Sequence, residues 1–129
     1  MLMRLTAAFF ANHVEVVDGM LNLTGGFWAS TTVAATATAF QTDVVVLCDV
    51  DDSDVGQTYS LVIDAEGPNA QRLPSYTSNL TVDAPMKFMC MPALVLPVNP
   101  GGGHHVYRFR IAGQHERIDV PLTVRLARP

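Results

Sequence analysis

Residues 12–28 read NHVEVVDGMLNLTGGFW, and this stretch decides the fold because it holds the clearest hairpin signal in the chain. Asp18-Gly19 lies between two runs of alternating apolar residues, and this pair favours a two-residue turn in which both residues have positive φ. The turn sets Val17 opposite Met20. One face of the hairpin is then polar and the other apolar, the apolar set being Val14, Val16, Leu21 and Leu23. Because such a hairpin cannot stand alone, we expect Asp18 and Gly19 to be critical for folding and the rest of the chain to cover the apolar face.

The length and charge of the chain exclude several classes of protein. Its 129 residues predict a single domain, 1–129, with a core of its own. Its formal net charge is −4, and the eight lysines and arginines are spread singly, so we expect no nucleic-acid partner and no anionic membrane. The apolar run from Leu2 to Ala11 is too short for a signal peptide and lacks a cleavage site, which predicts a first strand instead. We therefore expect a cytoplasmic protein, or a virion protein if the chain is phage-encoded.

Alternation with period two recurs along the chain, with turn residues between the runs, and helical periodicity is absent. The pattern predicts an all-β fold: an antiparallel two-sheet β-sandwich of seven to nine strands, of the immunoglobulin or jelly-roll kind. The small residues of 31–39 predict an extended connection or a weak edge strand. Pro92 interrupts an apolar run and therefore belongs at an edge, a bulge or a strand end.

Two further hairpins follow from the alternation. Residues 43–50 and 57–66 are predicted to pair with Cys48 opposite Tyr59, since this register keeps the large apolar side chains on one face. The last hairpin is predicted to turn at Gln114-His115. That register buries three large pairs and sets Arg110 beside Asp119, the buried pairs being Ile111 with Ile118, Phe109 with Val120 and Tyr107 with Leu122. Burying each large side chain is worth about 1.5–3 kcal/mol, more than any surface ion pair.

Cys48 and Cys90 both lie in apolar runs, and we interpret them as buried thiols in a reducing compartment. The alternative is a disulfide between two sheets of the immunoglobulin type. That arrangement expects a tryptophan between the two cysteines, whereas Trp28, the only tryptophan, precedes both.

Several short motifs together resemble a known family. They combine the first hairpin with the C-terminal strands, and they are Ala11-Asn12-His13, Asp18-Gly19, Gly25-Gly26-Phe27-Trp28, Leu96-Pro97, Pro100-Gly101, and the runs 107–111 and 120–124. This pattern resembles a family of small uncharacterised proteins, mainly actinobacterial or from actinophages, that is catalogued as a domain of unknown function. The resemblance implies a β-sandwich and brings no catalytic residues.

The candidate metal ligands are four acidic side chains, Asp49, Asp51, Asp52 and Asp54. Calcium needs six to eight oxygens around one point. The helix-flanked calcium loop, however, requires a glycine where Asp54 stands and a glutamate where Ser60 stands. We therefore favour a solvated loop without metal, and we expect no cofactor. His104 and His105 follow three glycines, but neighbouring strand residues point to opposite faces, so a metal site is not favoured there either.

No serine lies in a nucleophile-elbow context, so we expect a protein that is not an enzyme. A sandwich that binds a small ligand or carbohydrate stays open as the alternative, with Trp28, Tyr76 and Tyr107 as stacking rings. The favoured interpretation places Tyr107 in the core and Trp28 as a cap on the end of the hairpin.

An excess of apolar residues carries the functional prediction. Two runs are apolar on both faces of their strands, which predicts an outer apolar patch formed by Val45, Leu47, Val62, Met89 and Met91. A second copy, a larger assembly such as a phage capsid, or residues 31–39 folded over the sheet would cover that patch. The sequence thus predicts a non-catalytic structural or interaction module whose partner is protein.

Overall fold

The structure, a computed structural model, describes residues 3–128; Leu2, part of the predicted first strand, lies outside them. The described residues form strands and two short 3₁₀ turns, Asp52–Asp54 and Pro68–Ala70, and no α-helix. The strands are β1 Arg4–Val17, β2 Met20–Gly26, β3 Ser30–Val33, β4 Ala39–Asp49, β5 Thr58–Glu66, β6 Arg72–Thr81, β7 Phe88–Pro97, β8 Gly103–Ile111 and β9 Arg117–Leu126. The all-β prediction is confirmed.

The strands form two sheets, as predicted. A four-stranded sheet has the order β2-β1-β4-β7, and a five-stranded sheet has the order β3-β9-β8-β5-β6. All pairings are antiparallel except β3 with β9, which is parallel, so the prediction of purely antiparallel sheets is wrong at this edge. Inward side chains of both sheets join in one buried cluster, which includes Phe10, Val44, Val46, Leu61, Ile63, Leu96, Phe109 and Leu122.

Aromatic rings fill the centre of this core. The ring of Phe10 meets those of Phe40 and Tyr107 edge to face, with centroids 5.7 and 5.5 Å apart. The Tyr107 hydroxyl donates a hydrogen bond to the Pro97 carbonyl oxygen at 2.9 Å, and burial raises its pKa above the usual range. The predicted core position of Tyr107 is confirmed.

The first hairpin has the predicted register, with Val17 opposite Met20 and Val14 opposite Leu23. Asp18 and Gly19 have φ of 52° and 74°, so both adopt the left-handed conformation that the turn requires. The expected cover over the apolar face is incomplete, because the Val16 side chain is 52% exposed.

The hairpin bends back over the outer face of its own sheet. Pairing between β1 and β4 ends at Ala11, and the Val14 N–H then donates to Asp43 Oδ2 at 3.0 Å. Val16 and Gly19 line a cleft of about 530 Å³ with Val50, Met86 and Phe88, which lie near the other end of β4. Residues 12–26, which we call the arm, therefore run back along β4.

The predicted pairing of β4 with β5 is wrong. β4 lies between β1 and β7, and β5 lies between β6 and β8, so the loop between β4 and β5 carries the chain from one sheet to the other. The inward faces are nevertheless as predicted, since Val44 and Cys48 share the core with Leu61 and Ile63. Alternation determines which side chains face inward but not which strand lies alongside.

The last hairpin differs from its predicted register by two residues. Phe109 pairs with Ile118 and Tyr107 with Val120, so Arg108 rather than Arg110 faces Asp119. The loop of residues 112–116 is held from outside the hairpin, because the Gln114 side chain donates to the Met3 carbonyl oxygen at 2.9 Å.

The two remaining edge predictions are confirmed. Residues 31–39 contain most of β3, a short edge strand, followed by a turn. Pro92 lies in the edge strand β7, and the next residue, Ala93, has a φ of 54°, which marks an irregularity in the ladder.

Candidate functional site

The five residues predicted to form an outer apolar patch do not share a surface. Met89 and Met91 pair with Val46 and Val44 and pack against the core, so their predicted outward orientation is wrong. Val62 belongs to the five-stranded sheet and is 8% exposed.

Val45 and Leu47 do face outward, but their neighbours are Cys90 and Phe88. Val45 is fully buried on this outer face, and it lies in the sheet that the arm crosses. Beside it lies Phe9, whose ring is stacked on that of Phe27 with centroids 4.1 Å apart. The chain itself thus covers this surface, and it does so with the arm and Phe27 rather than with residues 31–39.

Exposed apolar side chains are concentrated in the arm and just after it. Met20 is 64% exposed and Phe27 is 71% exposed, and Val16, Val17 and Leu23 are also exposed. These five side chains come from one short segment of the chain, so the arm presents an apolar surface to solvent.

One end strand of the four-stranded sheet is β2. Residues that flank a two-residue turn exchange hydrogen bonds, as Val17 and Met20 do here, and bonded pairs then alternate along the ladder. The backbone N–H and C=O groups of Leu21 and Leu23 therefore point away from β1. No strand lies beyond β2 in this sheet, and its seven residues, MLNLTGG, include neither a charged residue nor a proline.

The strands at the other three sheet ends carry features that hinder pairing with another chain. β3 has only four residues, β6 contains Arg72 and Pro74, and β7 contains Pro92 beside the irregular Ala93. The sequence shows that residues 20–26 carry no charge, but only the strand order shows that these residues lie at the end of a sheet.

The four acidic candidates for metal binding do not converge. Asp54 is buried, and its carboxylate accepts hydrogen bonds from the Asp51 N–H at 3.1 Å and the Tyr59 hydroxyl at 2.7 Å. Asp51 accepts hydrogen bonds from Ser53, which lower its pKa, and Asp49 pairs with Arg4 and Lys87. Asp54 is therefore a structural anchor rather than a solvated residue, and within residues 3–128 no group of three or more His, Cys, Asp or Glu side chains is placed to hold a metal.

His104 and His105 point to opposite faces, as predicted, and only His105 is buried. His105 Nε2 accepts the Asn99 N–H at 2.9 Å, and Nδ1 lies 2.9 Å from the Gly103 carbonyl oxygen. The preceding glycines are required by close packing: a Cβ on Gly102 would lie 2.7 Å from the Val124 carbonyl oxygen.

The three rings proposed for ligand stacking lie apart. Tyr107 is in the core, and Tyr76 on β6 packs against the core. Trp28 donates to the Gly25 carbonyl oxygen at 2.5 Å and packs near Phe10 and Phe40, which confirms its predicted role as a cap. Both cysteines are free thiols, as predicted.

No family model matches the chain, and no curated protein matches it. Within residues 3–128 there is also no helix whose length and hydropathy suit a membrane span.

Proposed function

We propose that the protein is a non-catalytic interaction module that associates through the free edge of β2, and that its first partner is a second copy of itself. One observation carries the proposal: β2 is an exposed, uncharged strand at the end of its sheet, whereas the strands at the other three sheet ends are short, charged or interrupted by proline. A free edge of this kind accepts a strand from another chain through backbone hydrogen bonds.

A second copy fits this edge because two β2 strands can pair antiparallel about a two-fold axis. In that arrangement each strand both donates and accepts, so the interface is self-complementary. The chain carries a net charge of −4, but β2 brings no charge to the contact. Pairing would join the arms of the two copies and place a neighbouring strand beside Met20 and Leu23. A strand offered by a larger assembly, such as a phage capsid, would bind the same edge.

The proposal also covers the type of β-sandwich, the family and the cellular location of the protein. The two sheets pack as a β-sandwich of the jelly-roll or immunoglobulin kind, the chain belongs with the family that it resembles, and it works in the cytoplasm or, if phage-encoded, in the virion. A non-catalytic role is supported by Asp54 and His105, because each of these buried titratable side chains is hydrogen-bonded to its own chain.

Leu23→Pro tests the proposal. Proline removes the N–H that points away from β1 and leaves the β1–β2 hydrogen bonds in place, which an edge strand tolerates. The matched control is Leu23→Thr, which shortens the side chain but keeps the N–H. We expect wild-type protein and the control to show the mass of two chains in light scattering, and Leu23→Pro to show the mass of one.

The melting temperature of each variant is recorded alongside, so that unfolding is not mistaken for dissociation. A wild-type protein that stays monomeric at about 0.5 mM, well above the micromolar range of ordinary protein complexes, contradicts self-association. Dimerisation that Leu23→Pro leaves unchanged assigns the contact to another surface.

The second candidate, a carbohydrate-binding sandwich with Trp28, Tyr76 and Tyr107 as its platform, is less well supported. The Tyr107 ring is fully buried and the other two pack against the core, so these three rings offer no common stacking surface.

A further inference from the structure

The outer face of the five-stranded sheet contains a charged concavity of about 530 Å³. β5 and β8 form its floor, β6 and β9 form its two sides, and its charged lining consists of Asp64, Glu66, Arg72, Arg108, Arg110 and Arg117. It lies in the sheet that does not contain β2, so a ligand bound there would be a function beyond the proposed association and independent of it.

Ion pairs fix the floor of the concavity. The Arg110 Nε donates to Asp64 Oδ2 at 2.8 Å, and Ser75 Oγ donates to Asp64 Oδ1 at 2.7 Å. Arg108 pairs with Glu66 Oε2. The hydrogen bond from Arg110 holds the pKa of Asp64 below its usual range, and the contact with Glu66 raises the pKa of Arg108. The floor is therefore an array of hydrogen-bonded ion pairs.

The sides of the concavity carry two further arginines. Arg72 makes no hydrogen bond and no ion pair with the described residues, although its charge helps to lower the pKa of Asp64, and Arg117 has one ion pair, to Asp119 at 3.4 Å. Arg108 Nε is buried without a hydrogen bond, since Asp119 lies 3.6 Å from it. Four arginines thus face three carboxylates, which leaves a local surplus of one positive charge on a chain whose net charge is −4.

The width of the concavity suits a small molecule. β6 and β9 stand three strand spacings apart, about 14 Å between backbones. The registers set Arg72 level with Glu66 and Arg117 level with Val62, so these two arginines stand at diagonal corners of the concavity, about 13 Å apart along the strand direction. A monosaccharide-sized ligand can lie on the floor between them. Glu66 Oε1 accepts no hydrogen bond from the described residues, so the floor also offers an acceptor to a ligand hydroxyl.

We infer that this concavity binds a small hydroxylated carboxylate, a sugar acid, with Arg72 as the residue that takes the carboxylate. A guanidinium matches a planar carboxylate with two parallel hydrogen bonds. The surplus of one positive charge fits a monoanion better than a phosphate ester, which carries about −1.5 to −2 charges at neutral pH. Arg117 adds positive charge at the diagonal corner of the concavity, and Glu66, the cross-strand neighbour of Arg72, accepts a hydrogen bond from a hydroxyl.

The test is calorimetric titration of the full chain with D-glucuronate, D-galacturonate and D-gluconate, alongside glucose and glucose 6-phosphate. We expect saturable binding of at least one acid, weakened at least tenfold in Arg72→Gln. The matched control, Arg4→Gln, removes the same charge from the other sheet and should bind as wild type does. Both arginines are exposed, and circular dichroism verifies that each variant is folded.

Four results would overturn the inference: no acid binds, Arg72→Gln binds as wild type, glucose binds as tightly as the acids, or glucose 6-phosphate binds more tightly than the acids. The last would assign the site to phosphate esters. Since β2 takes no part, the titration gives the same answer for a monomer or a dimer, and failure of one proposal leaves the other standing.

Discussion

A buried polar side chain costs free energy unless its hydrogen bonds are made, and within residues 3–128 the polar side chains that are buried are Thr42, Asp54 and His105. Each one is hydrogen-bonded at a loop or an irregularity of a strand. Thr42 donates to the Asp43 carbonyl oxygen at 2.8 Å and lies 3.4 Å from the Ala11 carbonyl oxygen, at the point where the pairing of β4 with β7 is irregular. Asp54 closes the loop between the two sheets, and His105 ties the turn before β8 to its own strand. These residues act by holding loops in place.

Substitution of His105 tests whether these buried polar side chains stabilise the fold. His105→Ala removes a buried ring and leaves the part-buried Asn99 N–H and Gly103 carbonyl oxygen without their partner, and we expect the free energy of unfolding to fall by about 1–3 kcal/mol. Urea denaturation measures the change. His104→Ala is the matched control, since this neighbour is exposed, and it should stay within about 0.5 kcal/mol of wild type. Equal losses for the two variants would contradict the structural role of His105.

At the level of secondary structure, the stability of the first hairpin depends on its two-residue turn. A Cβ on Gly19 would meet no atom within 4 Å, so Gly19→Val acts through backbone strain alone, because a β-branched residue is forced to a φ near 74°. We expect a loss of about 1–3 kcal/mol in the free energy of unfolding. Gly19→Asn is the control, since asparagine tolerates positive φ. A wild-type urea midpoint for the valine variant would show that the turn is not built in this way.

The sequence predicted some registers and not others, for a physical reason. Asp18-Gly19 has a strong local preference, so the turn alone determines that Val17 meets Met20. In the last hairpin a shift by two residues keeps every side chain on its face, so burial could not distinguish the two registers. The contact of Gln114 with the Met3 carbonyl oxygen, which holds the actual loop, joins residues far apart in the sequence. Local patterns cannot predict such a contact.

For the whole molecule, strand order was the missing information. Apolar residues on both faces of β4 were correctly identified, but the cover over Val45 is the arm of the same chain rather than a partner. The arm was missed because alternation does not reveal that β1 continues beyond Ala11 and bends. The charged concavity was likewise invisible, because Arg72, Asp64, Arg108 and Arg117 come from four strands that meet only in the final order.

The two cysteines report on the two faces of the four-stranded sheet, because one lies on the core face and the other on the outer face that the arm crosses. Cys48 is buried in the core that both sheets share, and Cys90 lies on the outer face beside Val45. Burial raises the pKa of both thiols, which slows alkylation at neutral pH. Exposing Cys48 requires the sheets to separate, whereas Cys90 is only half-buried, on the outer face that the arm crosses.

We therefore expect Cys90 to be alkylated well before Cys48 in the native protein, and Cys48 to react only at the rate of global unfolding. Intact-mass spectrometry over time measures both, and digestion assigns each label. Gly19→Val, which strains the turn of the arm, should speed the labelling of Cys90 more than that of Cys48, and Gly19→Asn should leave the ratio of the two rates unchanged. Labelling of both cysteines together, or an intramolecular disulfide in unreduced protein, would show that they do not lie on opposite faces as described.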